Sequence, residues 1–341
     1  MQLHDLITDL CAISAPSGFE DRAFTRIAEL ISPFVDEVKT DVMGNLIAVK
    51  KCGRPNAKKL MLNAHMDEIG LIVTGYEKGF LRFSSLGGID SRMLPARELK
   101  ILTDPPVYGV IDTMPPHVLE SGEQDKSIDA KKLFIDVGLS DEEARRSIPL
   151  GTPVVFAGGS ETLSESRICG KALDDRACVA VLIKTMERLK DKALDIDVYC
   201  LISSQEEVGT RGAVTGTFSI EPDFAVTVDV THAATPDSKR GQTMEMGKGA
   251  AIGVGPNMDR NLTSLLFRLA DEKDIPCQTE VMGGNTGTDG WVIQVSRTGV
   301  STALASLPIK YMHSPVELMD VSDGDAIVKL LTELAAALKE E

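Results

Sequence analysis

The sequence predicts an α/β protein whose largely parallel sheet is interrupted by a small β-rich module. Three observations carry that expectation. The 341 residues are 43% hydrophobic and 26% charged, the balance of a folded chain, and the length suits about two domains. From residue 70 to about 160, short β-like runs are broken by Gly, Pro and Asp. Beyond that stretch, longer strand-like and helix-like segments alternate, the pattern of an α/β layer.

Leu3, Leu6, Ile7 and Leu10 recur at helical spacing, and Ser17 with Glu20 forms a capping-box pattern ahead of Phe24, Ile27, Ala28 and Ile31. Two short helices are therefore expected first. Residues 38–40, 45–50 and 59–64 read as strands, divided by Gly44 and by Gly53 with Pro55. Inside the β-rich stretch, strand-like runs fall at 71–74, 80–83, 99–102, 107–111 and 153–156. After it come a helix with Val181, Leu182, Thr185, Met186 and Leu189 on one face, strands at 198–203 and 224–228, and a helix over 262–271. A strand-like run at 300–305 follows, and Ser322 with Asp325 opens a last helix rich in Leu and Ala.

The 51 acidic residues outnumber the 36 basic ones, and the formal charge of −15 repels phosphate backbones and anionic lipid, so neither nucleic acid nor membrane is an expected partner. The one dense basic run, Lys50, Lys51, Arg54, Lys58 and Lys59, encloses Gly53 and Pro55 and reads as a solvated turn. Six scattered cysteines lack any Cys-x-x-Cys pair and read as reduced core residues. The amphipathic, acidic N-terminus is no signal sequence, and no segment approaches the roughly 18 uninterrupted apolar residues of a spanning helix. A cytoplasmic location is expected.

Five short motifs carry acids or histidines where chemistry is expected. His65 and Asp67 close an apolar strand, where a period of two would keep them on one side. Asp174 and Asp175 stand directly before an apolar helix, which by itself is also the pattern of N-capping. Glu206 and Glu207 follow the strand 198–203, Asp229 ends the run 224–228, and His313 lies in a loop beyond 300–305. Each alone has an ordinary structural reading. Together, two histidines with Asp174, Glu207 and Asp229 form a nitrogen and oxygen donor set suited to Zn²⁺, Co²⁺ or Mn²⁺. Three carboxylates and one hydroxide would balance two divalent cations, the arithmetic of a two-metal hydrolytic centre.

The motifs His65-Met66-Asp67-Glu68-Ile69-Gly70, Ala172-Leu173-Asp174-Asp175-Arg176, Gln205-Glu206-Glu207-Val208-Gly209, Asp229-Val230-Thr231 and His313-Ser314-Pro315 resemble, in order, those of metallopeptidase family forty-two, the TET-type aminopeptidases. Glutamyl and deblocking enzymes and members labelled endoglucanase M belong to that family. The resemblance implies that His65, Asp174 and Asp229 hold one metal and Asp174, Glu207 and His313 the other, with Asp174 bridging. It implies Glu206 as general base and Asp67 as the group orienting His65. It also implies a mixed-sheet α/β/α catalytic domain formed by 1–68 plus 162–341, an inserted β-barrel-like dimerisation domain over 69–161, and homo-oligomers built from dimers, in many members twelve-subunit tetrahedra.

The substrate class so implied is peptides with a free N-terminus. A deacylase or carboxypeptidase of the related dinuclear superfamily is the nearest enzyme alternative, but there the insertion usually follows the paired glutamates, whereas here the long gap precedes Asp174. Glycan hydrolysis is disfavoured, because adjacent Glu206 and Glu207 do not straddle a sugar. A catalytically silent scaffold is the alternative from another class, and no expected ligand position is substituted in its favour. His232 is expected near the site, His117 could face a neighbouring subunit, and Gly287-Thr288-Asp289-Gly290 resembles a loop near the family's catalytic centre without an assigned role.

Overall fold

The computed structural model describes residues 1–113, 129–239, 241 and 243–339. In chain order the first elements are α1 (Leu3–Cys11), α2 (Asp21–Ile31), β1 (Glu37–Thr40), β2 (Leu46–Lys50) and β3 (Lys59–His65). A second group comprises β4 (Gly70–Glu77), β5 (Phe80–Leu86), β6 (Arg97–Ile101), β7 (Val107–Ile111), β8 (Ile135–Asp136), α3 (Asp141–Ser147) and β9 (Pro153–Phe156). The remainder runs β10 (Ser160–Ser164), β11 (Arg167–Gly170), α4 (Leu173–Leu189), β12 (Asp197–Ser203), α5 (Arg211–Ile220), β13 (Phe224–His232) and β14 (Ala250–Val254). It closes with α6 (Arg260–Glu272), β15 (Cys277–Val281), α7 (Gly290–Ile293), β16 (Ser301–Lys310), β17 (Glu317–Asp320) and α8 (Val321–Ala337).

Eleven strands form one mixed sheet ordered β1-β2-β12-β3-β13-β16-β17-β11-β10, with β14 on β16 and β15 on β14. Only its centre, β12-β3-β13-β16, and the β14–β15 pair are parallel; the flanks are antiparallel. The largely parallel expectation therefore holds for the middle of the sheet alone; β1–β2 and β16–β17 are joined by short connections that permit only antiparallel pairing, and β2 and β17 also run antiparallel to β12 and β11. The central strands are apolar on both faces, as strands covered by helices must be. Leu60, Leu62, Val226 and Val228 pack into the core shared with α1, α2, α4, α6 and α8, while Met61, Leu201 and Ala225 pack with α5 and α7. This alternation puts His65 and Asp229 on the α5/α7 side, at matching levels of neighbouring strands.

β4-β5-β8-β7-β6-β9 close into a separate barrel around Leu71, Val73, Leu81, Leu99, Ile101, Ile135, Val154 and Phe156. Its two unexpected elements lack a periodic signal. β8 has two residues, and α3 buries only Ala144 while relying on a Ser140–Glu143 capping box. The expected Ser17–Glu20 capping box does not form: α2 begins at Asp21 without a side-chain cap, and both residues serve the site below. No described helix is long and apolar enough to cross a membrane.

Arg176 ties the two ends of the fold together. Its wholly buried guanidinium donates to the carbonyls of Leu10, Ile13 and Ala15 near α1, and to Met66 in the turn after β3. Arg176→Met removes every one of these donors and leaves dry carbonyls behind. The expected loss is about 3–5 kcal/mol of unfolding free energy, read from denaturant midpoints; a loss under about 1 kcal/mol would mean that solvent reaches these carbonyls.

Candidate metal centre

β3 ends at His65, and the chain turns so that Asp67 lies against the imidazole. His65 Nδ1 is 3.2 Å from the Asp67 carbonyl oxygen and 3.4 Å from its carboxylate. A carbonyl only accepts, so Nδ1 carries a hydrogen, and Nε2, 3.1 Å from Asp174 Oδ1, is the nitrogen that donates to that carboxylate or would ligate a cation in place of its proton. The fully buried Asp67 accepts from the Ser17 hydroxyl at 2.6 Å and from the backbone N–H groups of Glu206 at 3.0 Å and Glu207 at 3.2 Å. One carboxylate thus orients a histidine and pins the turn bearing the paired glutamates.

Asp174 and Asp175 are joined by a cis peptide at the head of α4, and neither caps the helix: Ala172 holds that position with no side-chain bond. Asp175 Oδ2 accepts from the His65 N–H at 3.1 Å, while its buried Oδ1 has no hydrogen-bond partner among the described residues. From the opposite side, His313 Nε2 stands 3.4 Å from both Asp174 Oδ2 and Glu207 Oε2. Asp229 is not at a strand end, as the run 224–228 had implied, but inside β13, because Thr231 and His232 continue the pairing with β16. Glu206 Oε2 lies 3.9 Å from His65 Nε2. Two overlapping donor groups result, His65–Asp174–Glu207 and His65–Asp175–Asp229, with donor atoms within 4.8 Å of one another in each.

The sequence profile of the M42 glutamyl aminopeptidase family matches residues 44–330. The chain belongs to that family. The lysyl aminopeptidase of Pyrococcus furiosus is 38% identical over 329 residues, covering 95% of this chain and 94% of that protein. An aminopeptidase from the archaeon Desulfurococcus kamchatkensis superposes with a TM-score of 0.92 at 35% identity, over 99% of this chain and 96% of the other. The Pyrococcus horikoshii TET1 peptidase, described as assembling into a tetrahedron or a large octahedral shell, gives a TM-score of 0.86 at 32% identity over 99% and 100% of the two chains.

The electrostatics of this M42 member fit a cation site. Burial, reinforced by neighbouring acids, pushes Glu206 up to about 10 and Glu207 up to about 8. Burial likewise raises Asp175 and Asp229 well above the usual carboxylate range. Asp174 is held low: burial opposes its charge, but hydrogen bonds from His313 and His65 prevail. His313, hydrogen-bonded to Asp174, is raised to about 10; burial depresses His65, and its bonds to Asp174 and Asp67 more than reverse that. Among the described residues no lysine or arginine pairs with Asp174, Asp175, Glu206, Glu207 or Asp229. Crowded dry carboxylates with an unpartnered oxygen and no basic side chain are what divalent cations neutralise, and the imidazole and carboxylate donors suit zinc-like ions.

Asp175 entered the cluster without a sequence signal separating it from its neighbour. Asp289, in the loop that the sequence placed near the centre without a role, accepts at Oδ2 from Asn63 at 3.1 Å and from Ser203, beneath the turn carrying Glu206. His232 ends β13 exposed, three residues after Asp229 and so on the opposite face of the strand, and His117 lies outside the described residues.

A raised carboxylate pKa means that the folded chain holds the proton longer than the unfolded chain, so cation-free stability falls as pH climbs above about 4. Asp229→Asn removes that penalty. In chelated protein at pH 8 the variant should unfold at a higher temperature than wild type, yet gain less on Co²⁺ addition. Scanning calorimetry with and without Co²⁺ checks both signs; an equal Co²⁺ gain would remove Asp229 from the ligand set.

Proposed function

We propose that the chain is a metal-dependent aminopeptidase that removes N-terminal residues from peptides at a centre holding two divalent cations. The observation carrying this reading is the convergence of His65 and His313 on Asp174 with Glu206 and Glu207 beside them. His65, Asp174 and Asp229 would hold one ion and Asp174, Glu207 and His313 the other, with Asp175 close behind the first set. Zinc or cobalt suits these donors best, and manganese is compatible. Bound cations supply water of lowered pKa and polarise the scissile carbonyl.

Glu206 serves as the general base. It takes a proton from the attacking water and hands it to the leaving amine, while Asp67 fixes its backbone N–H. The remaining acids give the pocket a negative character that favours the protonated or metal-seeking α-amino group of an unblocked terminus. Residues 1–68 plus 162–341 form the catalytic domain, and 69–161 the inserted dimerisation domain. The assemblies of the TET1 peptidase support a homo-oligomer built from dimers. Six free thiols suit a reducing cytoplasm.

Glu206→Gln should bind Co²⁺ as wild type does while turnover falls at least about a hundredfold; near-normal turnover would assign the base elsewhere. Chromogenic aminoacyl substrates should be cleaved only when unblocked. Cleavage of N-acetylated versions at comparable rates would instead support a deacylase.

A further inference from the structure

The barrel reaches the metal centre through the turn that follows β5. There the carbonyl oxygen of Gly88 accepts from His313 Nδ1 at 2.7 Å, the only hydrogen bond to that nitrogen among the described residues. A side chain on either glycine of the turn would crowd the centre. A Cβ on Gly88 would lie 3.0 Å from His313 Nδ1, and one on Gly87, where φ is +84°, would lie 3.1 Å from Glu207 Oε2 and 3.2 Å from Glu207 Cβ. On its other side the His313 backbone N–H donates to Glu317 Oε1 at 2.9 Å, and Nε2 faces Asp174 and Glu207 at 3.4 Å. The Nδ1 edge of the imidazole is therefore set from the barrel.

The geometry points to Gly87 and Gly88 as positioning residues of the metal centre, contributed by the inserted barrel to the catalytic sheet. This rests on His313 and Glu207 being ligands of the second cation. Because a carbonyl can only accept, Gly88 keeps a hydrogen on Nδ1 and leaves Nε2, which faces Asp174 and Glu207, as the nitrogen that would ligate a cation. His65 has the same arrangement, with the Asp67 carbonyl in the corresponding role. That carbonyl follows its own histidine by two residues, whereas Gly88 precedes His313 by 225. The second cation's affinity thus depends on where the barrel sits. The inserted module completes the active site in addition to any role in dimerisation.

Equilibrium dialysis of the full chain against Co²⁺, with the visible Co²⁺ spectrum, tests this. Wild type should bind two ions per chain; fewer than two would refute the proposed two-cation function itself, independently of the glycines. Given two, Gly88→Ala should weaken one ion about 10–100-fold and alter its visible bands while the other ion keeps its affinity. Gly75→Ala, in β4, where the added Cβ makes only an ordinary 3.5 Å contact with Arg82, should bind both ions as wild type does. Two wild-type affinities in Gly88→Ala would overturn the proposal.

Should Gly88→Ala fail to fold, the wild-type tautomer decides. The chain has five histidines, so solid-state ¹⁵N spectra of histidine-labelled, Co²⁺-free or Zn²⁺-loaded protein are simple to assign with His313→Gln. A protonated Nδ1 and unprotonated Nε2 on His313 in the Zn²⁺-loaded protein supports the assignment, and the reverse tautomer ends it.

Discussion

Like charge crowded into a dry place is the constraint around which this molecule is built. Asp174, Asp175, Glu207 and Asp229 meet beneath two imidazoles at the end of the parallel strands, and no lysine or arginine pairs with them among the described residues. Left to themselves, buried carboxylates retain protons rather than pay desolvation, which is the direction seen for Asp175, Glu206, Glu207 and Asp229. A fold can tolerate such a cluster only if the surrounding structure holds the acids in place and something cationic completes them.

The holding is done by groups outside the cluster. Asp67 uses one carboxylate for His65 and for the backbone of both glutamates, and Ser17 fixes Asp67 in turn. Glu20 steadies the same turn through the N–H of Gln205. Glu317 accepts from the N–H groups of Asp174 and His313, coupling a histidine loop to the helix head. Arg176 anchors the turn after β3 to α1. The N-terminal segment, which has no ligand of its own, is thereby part of the frame, and the barrel turn at Gly88 completes it from the other side.

Much of the fold was legible in the sequence. Apolar runs marked β2, β3, β12 and the first half of β13, and the change in texture marked the barrel, because strands covered on both faces and the short, turn-punctuated strands of a small barrel differ in composition. β8 and α3 were silent, one too short for a period and the other nearly all exposed. The second half of β13 was masked by Asp229, a charge that reads as a terminus until the residues it faces are known. Ser17 and Glu20 made a local capping pattern, yet their hydrogen bonds go to Asp67 and Gln205, partners distant in sequence.

Chain order alone determined the family-like series of motifs and the chemical character of the donor set: nitrogen and oxygen ligands, no thiolate pair, and an acid adjoining the expected base. What only tertiary structure decided is which acids and carbonyls meet which histidine. Asp175 joins Asp229, and Gly88 reaches His313 across 225 positions, because strand pairing and barrel closure set those distances. Residue type states what an atom is able to donate or accept; spatial proximity, which local patterns do not encode, selects its partner.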